Sequence, residues 1–235
     1  MINLSIIIPA HNEADRIQLA LDQLIGFLGP ASEILIVENG STDQTAALVD
    51  QYIQARGRCP WPDLRLIQLA QGDKGQAVAA GMMAAAGRWR YMADADLATP
   101  IDEVDKFIRT MISTRADIVI GNRAAPQDQT AARRLMSQGF KALACWALAK
   151  SYEDTQAGFK LFSARAAELI FPRLKVHGWA FDVEVLLIAR QHRMRVVELP
   201  IRWQHQPGSK LNLMDPARML LDVARIKIAH YETGG

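Results

Sequence analysis

The chain has 235 residues, and half of them are hydrophobic. This length suits one large domain, or at most two, and the hydrophobic share allows a sizeable buried core. The net charge of +2 is too small to indicate a nucleic-acid-binding protein. Cys59 and Cys145 are far apart and lack the spacing of a metal site, so we expect free thiols and a cytoplasmic protein.

The N-terminal stretch MINLSIIIPAHNE is apolar but short, has no basic leader and runs into Pro9. It predicts a first strand rather than a signal peptide. No uninterrupted apolar stretch reaches the roughly 20 residues that a membrane-spanning helix needs. A peripheral contact with the inner face of a membrane stays open.

Short β-rich segments alternate along the chain with longer segments of helical periodicity. The predicted strands are 4–10, 33–39, 64–70, 89–96, 116–122 and 195–203. One helix is expected after Ser41, where Gln44 completes a capping box, and another at Thr99-Pro100. This alternation predicts an α/β fold with a mostly parallel sheet flanked by helices.

Polar clusters follow five of the predicted strands. In chain order they read HNE, ENGSTD, QGDKG, DAD and GNR. Because ligands bind at the carboxyl ends of the strands in such sheets, these clusters predict a binding site along one edge. There is no G-x-G-x-x-G and no G-x-x-x-x-G-K-[ST], so the common dinucleotide and P-loop sites are excluded.

Asp94 and Asp96 are the sharpest chemical signal in this set. Residues two apart on a strand face the same way, so both carboxylates can converge on one point. Two hard oxygen ligands suit Mg²⁺ or Mn²⁺, which complete their shells with water and substrate phosphates. The alternative is a solvated acidic loop.

Basic residues with anion-binding character accompany the acidic pair. Lys74 lies between two glycines just ahead of an alanine-rich segment, although an ordinary exposed turn is the alternative. Arg123 follows the fifth strand, and Arg133 lies on a helical segment with an apolar side. Guanidinium groups bind phosphates through paired hydrogen bonds, whereas the alternative for each arginine is a solvated surface. Ser209 and Lys210 lie in a candidate closing loop, HQPGSK.

Six motifs together resemble family 2 glycosyltransferases of the GT-A fold. They are SIIIPAHNE, VENGSTDQT, GDKGQAVAAGMMAAAGRWRYMADAD, DTQAGFKLF, WAFDVEVL and GSKL. Within that family the chain is most similar to the dolichyl- and polyprenyl-phosphate glucosyl- and mannosyltransferases. The resemblance implies one Rossmann-like GT-A domain over residues 1–235, with a nucleotide-sugar half at about 1–122 and an acceptor half at about 123–235.

The resemblance also implies an inverting, metal-dependent transfer of a hexose from a nucleotide-diphosphate sugar. Relatives that transfer mannose have a glutamine where this chain has Ala98, which favours UDP-glucose over GDP-mannose as the donor. The family has two aspartates where this chain has Glu38 and Asn39, so contacts with the base are expected to differ.

Carried over motif by motif, the resemblance assigns roles to individual residues. The expected catalytic residues are Asp96, Asp154, Arg123, Arg133 and Lys210. The expected substrate-binding residues are Pro9, His11, Glu13, Glu38, Asn39, Lys74, Asp94, Ser137 and Ser209. Asp94 and Asp96 are the expected ligands of Mg²⁺ or Mn²⁺, and Asp182 and Glu184 are expected near the sugar or the sheet.

Three functions remain open on the sequence. A phosphate acceptor is largely dianionic at neutral pH and needs arginines rather than a general base, which favours a polyprenyl or dolichyl phosphate. A soluble enzyme with a hydroxyl acceptor would need a carboxylate base, for which Asp154 is the candidate. A non-catalytic module that binds sugar nucleotides is suggested by the altered pair Glu38-Asn39.

The C-terminal segment MDPARMLLDVARIKIAHY predicts an amphipathic helix. Arg225 and Lys227 would suit contact with anionic lipids at a membrane surface. The alternatives are packing against the sheet and a contact in a homodimer.

Overall fold

The structure of the chain is a computed structural model. It describes residues 2–57, 62–70, 72–123, 144–145, 148, 152–178, 180–204 and 215–231.

Seven strands and seven α-helices make up the described part of the chain. The strands are β1 (Leu4–Ala10), β2 (Ser32–Asn39), β3 (Asp63–Leu69), β4 (Trp89–Met92), β5 (Ile118–Arg123), β6 (Lys160–Ser163) and β7 (Val196–Ile201). The helices are α1 (Ile17–Phe27), α2 (Thr45–Arg56), α3 (Lys74–Ala84), α4 (Val104–Thr114), α5 (Ala164–Ile170), α6 (Phe181–Gln191) and α7 (Asp215–Tyr231). Short 3₁₀ helices cover Ile101–Glu103 and Phe171–Arg173.

The strands form one sheet in the order β3-β2-β1-β4-β6-β5-β7. All neighbouring pairs are parallel except the two that β6 makes with β4 and β5, which are antiparallel. The predicted α/β fold with a mostly parallel sheet is therefore confirmed. The carboxyl ends of β1, β2, β4 and β5 lie along the same edge, where the polar clusters were expected.

Helices cover both faces of the sheet. Because successive strand residues point to opposite faces, neighbouring residues of one strand pack against different helices. Ile7, Leu35 and Val37 pack with α3, α5, α6 and α7 on one face. Ile6 and Ile8 pack with α1, α2 and α4 on the other. This double burial explains the near-continuous apolar sequences of β1 and β2.

β6 was not predicted from the sequence. It has only four residues and begins with Lys160, a charged side chain with no solvent exposure. Neither the length nor the composition resembles a buried strand, so periodicity gave no signal. β4 is shorter than predicted and ends at Met92, which places Asp94 and Asp96 in the turn that follows.

Both predicted helix starts were wrong by a few residues. α2 begins at Thr45, and the Asp43 carboxylate accepts the Thr45 backbone N–H at 2.9 Å instead of a capping box at Ser41. The segment after Thr99 begins with the 3₁₀ helix at Ile101, and α4 follows at Val104. Local capping signals indicate that a helix is near but do not determine its first residue.

α7 confirms the helix that was predicted at the C-terminal segment. Val223, Ile226 and His230 form its buried side, and it contacts α6. Within the described residues, no helix is both long and apolar enough to cross a membrane.

Candidate active site

The candidate site lies at the carboxyl edge of the sheet, between α3, the turn after β4 and the end of β5. Lys74 is the first residue of α3, and Arg123 is the last residue of β5. Asp94 and Asp96 occupy the turn after β4, and Asp154 lies in the segment before β6. The structure thus brings together five residues that were expected at the site from the sequence.

Lys74 and Asp94 form an ion pair, with Nζ 2.6 Å from Oδ1. Burial alone would lower the pKa of Lys74, but Asp94, Asp182 and Asp96 raise it above its ordinary value. Burial would raise the pKa of Asp94, but Lys74, Arg123 and Lys160 hold it below its ordinary value. Both groups are therefore charged at neutral pH, and the alternative of an ordinary exposed turn at Lys74 is wrong.

Arg123 and Asp154 form a second, bidentate pair. The guanidinium donates from Nε to Oδ2 at 2.6 Å and from Nη2 to Oδ1 at 3.0 Å. The Gln156 backbone N–H also donates to Oδ1, at 3.2 Å. Burial would raise the pKa of Asp154, but these bonds to Arg123 lower it. Arg123 also lies over the Trp203 ring, 5.7 Å from its centroid.

Lys160 and Asp182 form a third pair, which the sequence analysis did not identify as such. Nζ lies 2.7 Å from Asp182 Oδ1 and donates to the Ala157 carbonyl at 2.5 Å. Lys160 has no solvent exposure, and Asp182 is 4% exposed. The sequence contained one indication of this pair, a lysine inside the apolar run GFKLF. A charged side chain buried among apolar residues needs an oppositely charged partner.

Asp96 differs from the three paired carboxylates. Its Oδ1 accepts the Ala98 backbone N–H at 3.0 Å, and no lysine or arginine of the described residues forms an ion pair with it. Burial raises the pKa of Asp96, and the neighbouring Asp94 raises it further. A partly buried carboxylate without a cationic partner is chemically suited to bind a cation.

The residues present fit a divalent cation only in part. The described residues contain no group of three or more histidine, cysteine, aspartate or glutamate side chains that could hold a metal ion. Two neighbouring carboxylates still suit Mg²⁺ or Mn²⁺, which usually take the remaining ligands from water and substrate phosphates. The assignment of Asp94 and Asp96 as metal ligands stays a prediction.

Gly158 makes the position of Asp94 sterically possible. A Cβ atom added at Gly158 would lie 1.9 Å from Asp94 Oδ2 and 2.5 Å from its Cγ. The Asp94 carboxylate therefore packs directly on the backbone of the DTQAGFK motif. A glycine is required here by close approach, not by an unusual backbone angle.

The loops after β1 and β2 form the expected nucleotide side of the site. His11 Nδ1 lies 3.1 Å from the Asn39 carbonyl, and Glu13 donates its backbone N–H to Thr45 Oγ1 at 2.7 Å. Asn39 Nδ2 donates to the Gly72 carbonyl at 2.9 Å, and Glu38 accepts the Ser41 backbone N–H. Glu38 and Asn39 are thus buried, and their side chains hold neighbouring loop segments in place. Their contact with a nucleotide base stays a prediction.

Asn12 is an organising residue that the sequence analysis did not select. It has a positive φ of 54°, and its Oδ1 accepts the backbone N–H groups of Thr42 and Asp43 at 2.8 and 3.3 Å. Asparagine tolerates this left-handed conformation better than most residues. It joins the loops after β1 and β2, next to the expected base-binding residues Pro9, His11 and Glu13.

Four predicted site residues lie outside the described residues: Arg133, Ser137, Ser209 and Lys210.

Comparison with known families identifies the class of this fold and site. Residues 5–168 match the model of glycosyl transferase family 2. The chain is 35% identical to the dolichyl-phosphate beta-glucosyltransferase of Saccharomyces cerevisiae, over 97% of this chain and 75% of that protein. It is 34% identical to the enzyme of the same name from Homo sapiens, over 88% of this chain and 69% of that protein. The chain belongs to glycosyltransferase family 2.

Solved structures with a similar fold support the architecture. Glucosyl-3-phosphoglycerate synthase from Mycobacterium tuberculosis, solved with UDP, matches 97% of this chain and 79% of its own at a TM-score of 0.68 and 17% identity. Mannosyl-3-phosphoglycerate synthase from Rubrobacter xylanophilus matches 99% of this chain and 74% of its own, with a TM-score of 0.68 and 18% identity. Both are similar in fold, which is the GT-A fold expected from the motifs.

We predict that Gly158→Ala lowers kcat/KM for sugar transfer about 100-fold, since a displacement near 1 Å has this effect on a positioned group. The new methyl group would force the Asp94 carboxylate away from Lys74. Gly26→Ala is the matched control, because a Cβ atom at Gly26 meets nothing within 4 Å. Steady-state kinetics and thermal melting check the result. Full activity of a folded Gly158→Ala protein would contradict the assigned role of this glycine.

Proposed function

We propose that the protein is an inverting, metal-dependent hexosyltransferase that moves glucose from UDP-glucose to a polyprenyl or dolichyl phosphate. Donor binding is assigned to about residues 1–122 and acceptor binding to about 123–235 of a single domain. The names of the relatives from Saccharomyces cerevisiae and Homo sapiens support glucose and a lipid phosphate. One solved neighbour, from Mycobacterium tuberculosis, was crystallised with Mn²⁺ and UDP-glucose, which supports the donor and the metal.

The state of Asp154 is the observation that carries the choice of acceptor. Both of its oxygens accept hydrogen bonds from Arg123, and its pKa is lowered. A carboxylate with a lowered pKa and occupied oxygens is a poor proton acceptor. A hydroxyl acceptor would need such a base, whereas a phosphate attacks as an anion that is already deprotonated. The arrangement therefore favours a phosphate acceptor.

In the proposed reaction, a phosphate oxygen of the acceptor attacks C1 of glucose while the bond from C1 to the UDP oxygen breaks. The electron pair of that bond leaves with UDP, and the configuration at C1 inverts. Arg123 contributes positive charge near the attacking phosphate and reduces its repulsion from the donor diphosphate. Lys74 orients Asp94 and neutralises its charge. A divalent cation held by Asp94 and Asp96 would supply positive charge to the leaving diphosphate.

One prediction of the proposed function concerns the substrates. Purified protein with Mg²⁺ or Mn²⁺ is expected to transfer radiolabelled glucose from UDP-glucose to polyprenyl phosphate, measured as label extracted into organic solvent. GDP-mannose should be a poorer donor, and EDTA should abolish transfer. Asp96→Asn should also lose transfer, and Asp105→Asn is the control because Asp105 lies exposed on α4.

Two comparisons make this assay decisive. Polyprenol, which has the same chain without the phosphate, should accept no glucose. Transfer to polyprenol or to soluble alcohols alone would favour the hydroxyl-acceptor enzyme. UDP-glucose binding without transfer or hydrolysis under any condition would favour the non-catalytic module.

A second prediction separates a positioning role of Asp154 from a basic one. Asp154→Asn keeps an oxygen that can accept from Arg123, so we expect kcat to fall about 10-fold with the pH profile unchanged. Removal of a general base would lower kcat about 10²- to 10⁴-fold and would remove the acidic limb of the pH profile, which is caused by protonation of that base. Measurement of kcat from about pH 3 to pH 9, a range that includes the ordinary pKa of an aspartate near 3.9, distinguishes the two. A fall in kcat of about 10²-fold or more, together with loss of the acidic limb, would contradict the phosphate-acceptor mechanism.

A third prediction concerns contact with the membrane that carries such an acceptor. Leu221 and Ile228 are 60% and 66% exposed on one side of α7, and Arg225 lies exposed between them. Apolar side chains interleaved with a cation suit the interface of an anionic bilayer. We propose that this side of α7 contacts the lipid surface.

The double variant Leu221→Ser/Ile228→Ser should bind phosphatidylglycerol-containing vesicles more weakly in a co-sedimentation assay. Leu19→Ser/Ile112→Ser is the matched control, because these residues are equally exposed on α1 and α4, at 63% and 61%. Equal loss of binding in both double variants, or in neither, would overturn the assignment to α7.

A further inference from the structure

The start of α3, which carries Lys74, is held by a segment far away in the sequence. The Gly75 backbone N–H donates to the His177 carbonyl at 2.8 Å. This N–H belongs to the first turn of α3, where backbone donors have no partner within the helix. A Cβ atom at Gly75 would lie 2.7 Å from both the His177 oxygen and Phe181 Cβ. The segment of residues 175–178 is therefore pressed against the backbone next to Lys74.

Glu184 holds the same segment from its other end. Its Oε1 accepts the Lys175 backbone N–H at 2.9 Å, and its Oε2 accepts the Val176 backbone N–H at 2.8 Å. The Glu184 side chain has no solvent exposure. Hydrogen bonds to an ionised acceptor are about twice as strong as neutral ones, so this carboxylate fixes both amides firmly.

α7 is fastened to the same carboxylate. His230 Nε2 lies 2.6 Å from Glu184 Oε1, and Lys175 Nζ donates to the Ala229 carbonyl at 2.8 Å. Gln191 on α6 also donates, from Nε2 to the His230 carbonyl at 3.0 Å. Glu184 is thus the junction between the last turn of α7, the first turn of α6 and the 175–178 segment.

Glu184 does not contact the cluster of charges around Asp94. Asp182, two residues earlier on α6, pairs with Lys160 at the site, and a step of two residues on a helix turns the side chain to nearly the opposite side. The hydrogen bonds of the Glu184 side chain are with the segment and α7. Its expected place near the sugar or the sheet stays a prediction. A buried charge is costly unless it is fully hydrogen-bonded. The hydrogen bonds that satisfy the Glu184 carboxylate are the same ones that tie the segment and α7 to α6.

We propose that Glu184 is a positioning residue for Lys74 and acts through the 175–178 segment. By fixing Lys175 and Val176, it places the His177 carbonyl where it receives the Gly75 N–H, and so sets the first turn of α3. That turn aims Lys74 at Asp94, 2.6 Å away. The inference rests on the proposed function, because it assigns to Glu184 an effect on donor binding at this site.

A double-mutant cycle tests the route through Lys74. Glu184→Gln should lower kcat/KM for UDP-glucose about 10-fold, mainly through KM, as loss of a supporting hydrogen bond typically does. In a Lys74→Met background the same substitution should have no further effect on kcat/KM, since the group it positions is gone. An equal effect of Glu184→Gln in both backgrounds would overturn the proposal.

The control variant is His230→Leu, which removes the ring from Glu184 but leaves both of its bonds to the segment. It should lower the melting temperature and keep kcat/KM within about twofold of the parent, because it does not move the segment. A loss of kcat/KM as large as that of Glu184→Gln would show that general loosening, not the segment, accounts for the effect.

Amide hydrogen exchange provides a readout that does not depend on catalysis. Exchange at Gly75 should be about 10-fold faster in Glu184→Gln than in the parent, because its acceptor carbonyl is displaced. Val176→Pro, which removes one of the two N–H donors to Glu184, replaces Glu184→Gln if that variant does not fold. Unchanged exchange in the folded variant contradicts the positioning role. Absence of transfer by the parent protein, with the exchange difference present, contradicts only the proposed function.

Discussion

The neutralisation of buried and partly buried carboxylates by cations from distant parts of the chain is the constraint on which this site depends. Asp94, Asp154 and Asp182 meet at one edge of the sheet, and each has its own partner in Lys74, Arg123 or Lys160. Without these partners, the repulsion and desolvation of the carboxylates would force some of them to become protonated. Asp96, beside Asp94, forms no ion pair with a lysine or arginine of the described residues.

The backbone around the charges is arranged for close approach. Gly158 lets the Asp94 carboxylate lie against the segment just before β6, and Gly75 lets α3 approach α6 and the 175–178 segment. Lys74 and Asp94, which lie beside these two contacts, are at hydrogen-bonding distance from each other. Packing and electrostatics therefore support each other, since displacement of either backbone would separate the charges.

The outer parts of the molecule are joined to this centre through buried polar contacts. Glu184 connects α7 with the segment that holds Gly75, while Asn12 connects the loops after β1 and β2. Such contacts fix direction as well as distance, because a hydrogen bond weakens steeply when its angle is poor. The last turn of α7 and the start of α3 are therefore joined through one set of hydrogen bonds.

The sequence by itself determined the layers of the fold and much of the site. Apolar runs such as LSIIIPA predicted strands covered on both faces, and the carboxyl-edge rule placed Lys74, Asp94, Asp96 and Arg123 together. These features follow from local pattern, because the period of side-chain burial is written in neighbouring residues. The tertiary structure alone decided which charges pair, that β6 enters the sheet antiparallel with Lys160 buried, and that Glu184 accepts the backbone N–H groups of Lys175 and Val176. Those outcomes depend on distances between residues far apart in the chain, which no local pattern encodes.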